Sequence, residues 1–192
     1  MYKVSAVVLW VFATLCTSFS VISENGYSLT ESMRLARFSS LAYCPKTCLE
    51  SWQCDSGKNL PPLTNVSFFN NGINLASVYI GYRPDVNQIL LSFRGSASYE
   101  SWVSEWNHRG SDYKKCEHCQ IVEDFLKDYH KLEQDVDNKV LALYAKHPKA
   151  SIIATGHSLG GGLAMIAGMK LKEKLKNIRI SAHTFGATRV GN

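Results

Sequence analysis

The stretch Gly156-His157-Ser158-Leu159-Gly160 constrains the fold more than any other part of the chain. It follows residues 151–155, an apolar and β-branched run typical of a buried strand, and it precedes a mostly apolar, helix-forming run from Gly161. A sharp turn from strand to helix lifts a serine hydroxyl off the sheet and leaves room only for small residues beside it. The pattern therefore predicts that Ser158 is a nucleophile at the tip of such a turn.

The same turn predicts where developing negative charge would be stabilised. Ser158 precedes a predicted helix, and the N-terminus of a helix offers backbone N–H groups and the positive end of the helix dipole. The backbone N–H of Leu159 is the natural donor to an oxyanion formed during acyl transfer. Acyl transfer by an activated serine requires no metal and no organic cofactor, so the pattern implies neither.

Composition favours a single domain and excludes some partners. The chain has 192 residues, of which 45% are hydrophobic, and this is sufficient for one sizeable core. The formal net charge of +5 comes from lysines and arginines that are spread along the chain instead of clustering with aromatic residues. The sequence therefore does not indicate a nucleic-acid surface.

The N-terminus has the features of a secretory signal. A short basic start is followed by residues 4–16, which carry no charge and are too few to cross a bilayer comfortably, and then by small residues. We predict a signal peptide over residues 1–20, with cleavage after Ser20 or Ser23, and a secreted domain over residues 21–192. A signal anchor is the alternative.

Export determines how the cysteines are interpreted. Once the signal is removed, the remaining cysteines are Cys44, Cys48, Cys54, Cys116 and Cys119. An oxidising compartment favours disulfides, and an odd number leaves one cysteine free or paired beyond Asn192. Cys116 and Cys119 have the C-x-x-C spacing of a zinc-binding pair, but a matching second pair is missing. Disulfides are therefore favoured over a metal site or thiol redox chemistry.

The first third of the chain predicts a helix followed by a loop. Ser28 to Glu31 form a capping box, and the apolar spacing after it predicts a helix that ends near Tyr43. Residues 44–62 are polar and contain Pro, Gly and cysteines, so we predict a disulfide-stapled loop region. Asn65 begins an N-glycosylation sequon, which is usable if the chain is exported.

The remainder predicts an α/β fold with a mostly parallel sheet and flanking helices. Residues 77–82 and 88–94 predict a β-hairpin, residues 121–147 a long helix, and residues 178–185 a further strand. Alternating strands and helices imply right-handed crossovers and a parallel core. The acidic residues of the long helix predict a solvated face: Asp124, Asp128, Glu133, Asp135 and Asp137.

A short amphipathic helix is predicted after Ser98. Its apolar residues recur at helical spacing: Tyr99, Trp102, Val103 and Trp106. Two interpretations remain open, an ordinary helix that faces the core and a mobile lid that faces lipid.

Three segments, residues 92–96, 156–161 and 184–192, together resemble the fungal-type (class 3) lipase family of α/β-hydrolases. The resemblance extends from about Ser28 to Asn192. It implies an α/β-hydrolase fold, incomplete at the C-terminus, in which Ser158 is the nucleophile, Ser96 supplies an oxyanion donor and residues 99–106 form the lid. The loop after a central strand is also where a second donor belongs in this architecture, independently of the family.

The sequence departs from the family pattern in three places. Thr188 stands where the family usually has proline, Gly162 where it usually has alanine, and residues 122–125 where it has a Val-His-x-Gly-Phe run. A glycine that opens a helix would lower local stability by about 0.5–1 kcal/mol relative to alanine.

The general base and acid of a serine triad are not evident. In α/β-hydrolases the order is Ser, Asp or Glu, then His, yet the part after Ser158 holds only Glu173 and His183, neither at a useful position. The ring of His157 should point away from the Ser158 hydroxyl. We therefore expect the Asp and His to lie beyond Asn192, and the chain as given to hydrolyse esters weakly.

The resemblance implies a secreted serine ester hydrolase that acts on acylglycerols and contacts a lipid surface transiently. Two alternatives remain: an esterase or phospholipase that acts on other acyl esters, and a non-catalytic lipid- or glycan-binding protein with a decayed hydrolase fold. The oligomeric state does not follow from the sequence.

Overall fold

The fold is organised around one mixed β-sheet. The structure is a computed structural model, and it describes residues 28–70, 72, 76–96, 110–113 and 117–192. In chain order its main elements are α1 (Leu29–Leu41), α2 (Lys46–Ser51), β1 (Thr64–Asn70), β2 (Ser77–Arg83), β3 (Gln88–Phe93), β4 (Gly110–Asp112), β5 (Gln120–Val122), α3 (Glu123–Lys146), β6 (Ser151–His157), α4 (Leu159–Lys174) and β7 (Ile180–Phe185).

The strand order of the main sheet is β1-β2-β3-β6-β7. The first three strands are antiparallel, which confirms the predicted hairpin, and β3, β6 and β7 are parallel, which confirms the predicted core. Phe93 lies opposite Gly156, and Gly156 lies opposite Thr184, so these three strands end at the same edge of the sheet. That edge is where α/β folds place their functional loops.

Alternate residues of the same strands form two cores. On one face Ile89 and Ile152 pack with the inner residues of α3 and α4, and on the other face Leu90 and Ile153 pack with α1. The long helix buries the face that its spacing predicts: Phe125, Tyr129, Leu132, Val136, Val140 and Leu143. The sheet is therefore covered by helices on both sides.

Buried hydrogen bonds fix the C-terminal end of α1 on the sheet. The Phe38 carbonyl accepts from the Tyr79 hydroxyl at 2.6 Å and from the Ser92 hydroxyl at 3.0 Å. The Ser39 and Thr155 hydroxyls are 2.8 Å apart. Buried polar groups are costly unless they are paired, so these bonds specify one position of the helix end relative to β2, β3 and β6.

The beginning of α1 carries part of the predicted cap. The chain divides between Ser32 and Met33, and the described part of the first unit is residues 28–32. Within it, the Glu31 backbone N–H donates to the Ser28 hydroxyl oxygen at 3.3 Å. This is the serine half of the capping box.

The region 44–62 is more regular than the sequence predicted. It contains α2 and a 3₁₀ turn at Asp55–Gly57, and a disulfide joins Cys48 to Cys54. Cys119 is also disulfide-bonded, Cys44 is a free thiol, and Cys116 lies outside the described residues.

A metal site formed by three thiolates does not fit the first cysteine cluster. The sulfur atoms of Cys44, Cys48 and Cys54 lie within 4.8 Å of one another, as metal ligands would. Two of them are joined in the disulfide, which removes their thiolates.

Two residues of the predicted solvated face of α3 instead join it to α4. The Lys174 ammonium contacts the Glu133 carboxylate at 2.7 Å and also pairs with Asp137. Both carboxylates are largely covered, because the helices lie side by side. The prediction of a solvated face is therefore correct only in part: Glu133 and Asp137 are partly covered and paired with a lysine that the sequence did not indicate, whereas Asp135 is exposed.

Several predicted features lie outside the described residues: the signal peptide over 1–20, and Tyr99, Trp102, Val103 and Trp106 of the predicted lid. Among the helices that the structure describes, none is both long and apolar enough to cross a membrane.

Gly162 is required by its neighbours, so alanine there would not be stabilising. A Cβ atom at Gly162 would lie 2.3 Å from the Phe125 ring and 2.8 Å from the Val190 side chain. We expect Gly162→Ala to lower the free energy of unfolding by about 1–3 kcal/mol, because a packed core resists added volume.

Gly168, on the same helix, is the matched control. A Cβ atom added to Gly168 would lie 3.7 Å from the Cβ atom of Ala182, which is an ordinary van der Waals distance. We expect Gly168→Ala to raise the free energy of unfolding by about 0.5–1 kcal/mol. Urea unfolding followed by circular dichroism would compare the two variants, and equal effects would contradict this account of Gly162.

Candidate active site

Ser158 occupies the turn between β6 and α4, as the sequence predicts. Its backbone has φ 56° and ψ −125°, a left-handed conformation that a residue with a side chain rarely adopts. Its N–H donates to the Phe185 carbonyl at 3.0 Å, which ties the turn to β7. Surrounding structure must hold such a residue in place, at a cost of about 1–3 kcal/mol, and strained residues of this kind cluster at functional sites.

The glycines around Ser158 allow three backbones to meet. A Cβ atom added to Gly156 would lie 2.3 Å from the Gly160 carbonyl oxygen. A Cβ atom added to Gly160 would lie 2.3 Å from the Phe93 carbonyl oxygen. At Gly161 it would lie 2.7 Å from the Ala187 Cβ. The motif glycines therefore bring the ends of β3 and β7 against the start of α4.

The loop after β3 lies against the turn at Ser158. A Cβ at Gly95 would be 2.7 Å from the His157 carbonyl oxygen and 3.5 Å from the Ser158 Cβ. Ser96, the next residue, is partly buried. Leu159 is the first residue of α4, and the first N–H groups of a helix have no acceptor within it. The predicted oxyanion donors Ser96 and Leu159 are thus carried by two segments that flank Ser158.

Tyr43 is a site residue that sequence reasoning missed. Its hydroxyl lies 3.2 Å from Nδ1 of His157, and it also lies so close to Gly95 that a Cβ atom there would clash with it. The Arg94 guanidinium carbon lies 5.7 Å from the centre of the Tyr43 ring. In the sequence Tyr43 only marks the end of a helix, and no local pattern signals that α1 delivers it to the strand ends.

The side chains of His157 and Glu173, the other candidate acid and base groups, contact residues other than Ser158. Nδ1 of His157 faces Tyr43, and the Cδ2–Nε2 edge of the ring is 3.8 Å from where a Gly186 Cβ would lie. Glu173 accepts a hydrogen bond from the Tyr113 hydroxyl in the last turn of α4. That is about 20 Å along the helix from Ser158 at 1.5 Å per residue. Glu173 is therefore too far away to serve as a triad acid.

The third family-like segment folds back over the start of α4. The Val122 N–H donates to the Val190 carbonyl at 2.8 Å, and the Gln120 N–H donates to Oδ1 of Asn192 at 2.7 Å. Thr188, which replaces the usual proline, has a buried hydroxyl oxygen without a hydrogen-bond partner in the part of the chain that the structure describes. The segment thus joins β7 to β5 beside the turn at Ser158.

Comparison with known proteins identifies the family. A sequence profile described as "Lipase (class 3)" matches residues 90–192, which is more than half of the chain and includes all three segments. The chain belongs to the class 3 lipase family. Membership in this family accounts for the order of the strand-end loop, the serine turn and the segment after β7.

Individual class 3 lipases resemble the chain over most of its length. A lipase from Rhizopus niveus is 29% identical over 177 residues, covering 90% of this chain and 45% of the relative. "Secreted mono- and diacylglycerol lipase 1" from Fusarium solani is 28% identical over 105 residues, 55% of this chain and 31% of the relative. The chain spans less than half the length of these relatives.

Solved structures establish the α/β-hydrolase fold. Lipase II from Rhizopus niveus has a TM-score of 0.78 and 28% identity, and the match covers 85% of this chain and 63% of that one. The lipase from Rhizopus microsporus var. chinensis has a TM-score of 0.77 and 26% identity, with coverage of 85% and 58%. The mixed sheet and its flanking helices agree with these lipases.

The strain at Ser158 predicts a difference between two variants that both lack the hydroxyl. Glycine tolerates φ 56°, whereas alanine does not. We expect Ser158→Gly to be more stable than Ser158→Ala by about 1 kcal/mol, after allowing for the greater backbone entropy of glycine in the unfolded chain. Thermal unfolding of the two variants measures this, and a more stable alanine variant would contradict the strained backbone.

Proposed function

We propose that this chain is the nucleophile-bearing part of a secreted serine ester hydrolase that acts on acylglycerols. One observation carries the proposal: the loop at Gly95 packs directly against a strained turn that presents Ser158 at the start of a helix. A nucleophile flanked by two sources of N–H or O–H donors suits acyl transfer, because negative charge develops on the carbonyl oxygen during attack.

In the proposed reaction, Oγ of Ser158 attacks the ester carbonyl carbon while a general base takes the hydroxyl proton. The carbonyl oxygen becomes an oxyanion, which the Leu159 N–H and the Ser96 donor stabilise. Collapse of the intermediate breaks the bond to the alcohol, which leaves with the proton from the base. Water then releases the fatty acid from Ser158 by the same steps.

The base and the acid that orients it come from the complete protein in this proposal. The part of the chain after Ser158 offers only Glu173 and His183, and the structure uses Glu173 at the far end of α4. The relatives are about twice as long as the matched part, which leaves room for a further segment with an Asp and a His. A chain without that segment should hydrolyse esters weakly.

The acylglycerol substrate is proposed from the relatives and from the predicted lid. One group of relatives carries the name "Secreted mono- and diacylglycerol lipase". The predicted helix with Trp102 and Trp106 would provide transient contact with a lipid surface. Other acyl esters, including those of phospholipids, remain the alternative within the same chemistry.

Secretion is proposed together with glycosylation of Asn65. This residue is exposed, has φ 53° and lies at an irregularity of β1, where the pairing with β2 shifts between Thr64 and Ser67. Because β1 is the edge strand of the sheet, a glycan at Asn65 would extend into solvent.

The mass of the native secreted protein tests secretion and length together. We expect an intact mass well above 21.4 kDa after deglycosylation, with a mature N-terminus near residue 21, because the complete protein carries the triad partners. A mass decrease on deglycosylation that disappears in Asn65→Gln would locate the glycan. A deglycosylated mass that matches a chain ending at Asn192 would exclude a triad and favour a non-catalytic binding protein.

The oxyanion assignment predicts the effect of Ser96→Ala. In the complete enzyme we expect a loss of turnover of about 10²–10³-fold on a short-chain ester, because one donor to the oxyanion is removed. Ser40→Ala is the matched control, since the Ser40 hydroxyl donates to the Arg37 carbonyl at 2.8 Å, a local bond on the exposed side of α1. Unchanged turnover in Ser96→Ala would remove this hydroxyl from the oxyanion hole.

A further inference from the structure

The Tyr43 hydroxyl touches both halves of the candidate active site. It lies 3.2 Å from Nδ1 of His157, the residue before the nucleophile, and it lies against Gly95, the residue before Ser96. A Cβ at Gly95 would approach the same hydroxyl closely enough to clash. One phenol thus bridges the loop after β3 and the turn after β6.

The surroundings of Tyr43 favour a fixed, protonated phenol. Burial raises the pKa of the Tyr43 phenol, which favours the protonated hydroxyl, and that hydroxyl can donate to Nδ1 of His157. The residue is 39% exposed, and its ring lies 6.4 Å between centres from the His157 ring and beside the Arg94 guanidinium. The hydrogen bonds of Phe38 and Ser39 hold the end of α1, two residues before Tyr43, on the sheet.

We propose that Tyr43 is a positioning residue for acyl transfer, whose hydroxyl sets the separation between the oxyanion loop and the nucleophile turn. This inference rests on the proposed ester hydrolase function. Tyr43 acts through its neighbours: by holding Gly95 it places Ser96, and by holding His157 it places Ser158.

Such a role should affect turnover more than substrate binding. An oxyanion exists only in the intermediate and its transition states, so a displaced donor weakens an interaction that the bound substrate has not yet made. A displacement of about 1 Å in a catalytic arrangement can cost about 10²-fold in rate. KM should therefore change little when the bridge is removed.

The first test is Tyr43→Phe in the complete native protein, which removes one oxygen atom. We expect kcat on a soluble short-chain ester to fall by about 10- to 100-fold, with KM within about threefold of the parent value. Tyr82→Phe is the matched control. The Tyr82 hydroxyl donates to Oδ1 of Asn87 at 3.0 Å, at the end of β2 and the start of β3, which is the edge of the sheet opposite the candidate site. The control should keep the parent kcat.

A double-mutant cycle separates positioning from a general loss of structure. If Tyr43 acts by placing Ser96, then Tyr43→Phe should slow the Ser96→Ala enzyme much less than it slows the parent. Equal fold-losses in the two backgrounds would overturn the inference. A fall in melting temperature for Tyr43→Phe much larger than for Tyr82→Phe would also overturn it, because the lost activity would then reflect loss of the fold.

Variants of His157 test the other end of the bridge. Asparagine can place an amide oxygen near the position of Nδ1 and accept from the phenol, whereas alanine cannot. We expect His157→Asn to stay within about threefold of the parent kcat and His157→Ala to fall as far as Tyr43→Phe. Parent-like turnover of His157→Ala would contradict the bridge.

The inference and the proposed function fail in different ways. Full ester hydrolysis by Ser158→Ala would refute the nucleophile, and the proposed function with it. Loss of activity in Ser158→Ala together with parent kinetics in Tyr43→Phe would refute only the positioning role of Tyr43.

Discussion

The close approach of backbones around Gly156, Gly160 and Gly161 is the constraint on which the site depends. These residues allow the Phe93 carbonyl, the start of α4 and Ala187 to occupy space that side chains would otherwise fill. The parallel register of β3, β6 and β7 brings the same segments to one edge. Ser158 can keep its unfavourable φ only because this packing and its bond to the Phe185 carbonyl fix the turn.

Features with a strong local signal could be predicted from the sequence. The hairpin of β2 and β3, the buried face of α3 and the turn at Ser158 each follow from a period or a motif, and the structure contains all three. The strand β1 was missed because its irregularity near Asn65 interrupts the alternation that marks a strand. The short strand β5 was predicted as part of the long helix. Three residues are too few to show the alternation of a strand when a long helical pattern follows them directly.

Features that arise from contacts between distant segments could not be predicted. The need for glycine at position 162 depends on the Phe125 ring of another helix, and no property of the local sequence reveals that ring. The pairing of Lys174 with Glu133 has the same origin. Tyr43 reaches His157 across 114 residues of sequence, through the buried hydrogen bonds that hold α1. The turn at Ser158 was predictable because its motif is local, whereas the contacts that support the turn come from distant segments and were not predictable.

The bridge between Tyr43 and His157 also bears on when the site can exist. Contacts between residues so far apart form only after the intervening strands have paired, because closing such a long loop is entropically costly until other contacts compensate. An unfolded or partly folded chain therefore carries Ser158 as an ordinary serine hydroxyl with no special reactivity. In the complete protein, if Ser158 has the proposed role, its covalent labelling by an electrophilic ester analogue would consequently report completed folding instead of the mere presence of the polypeptide.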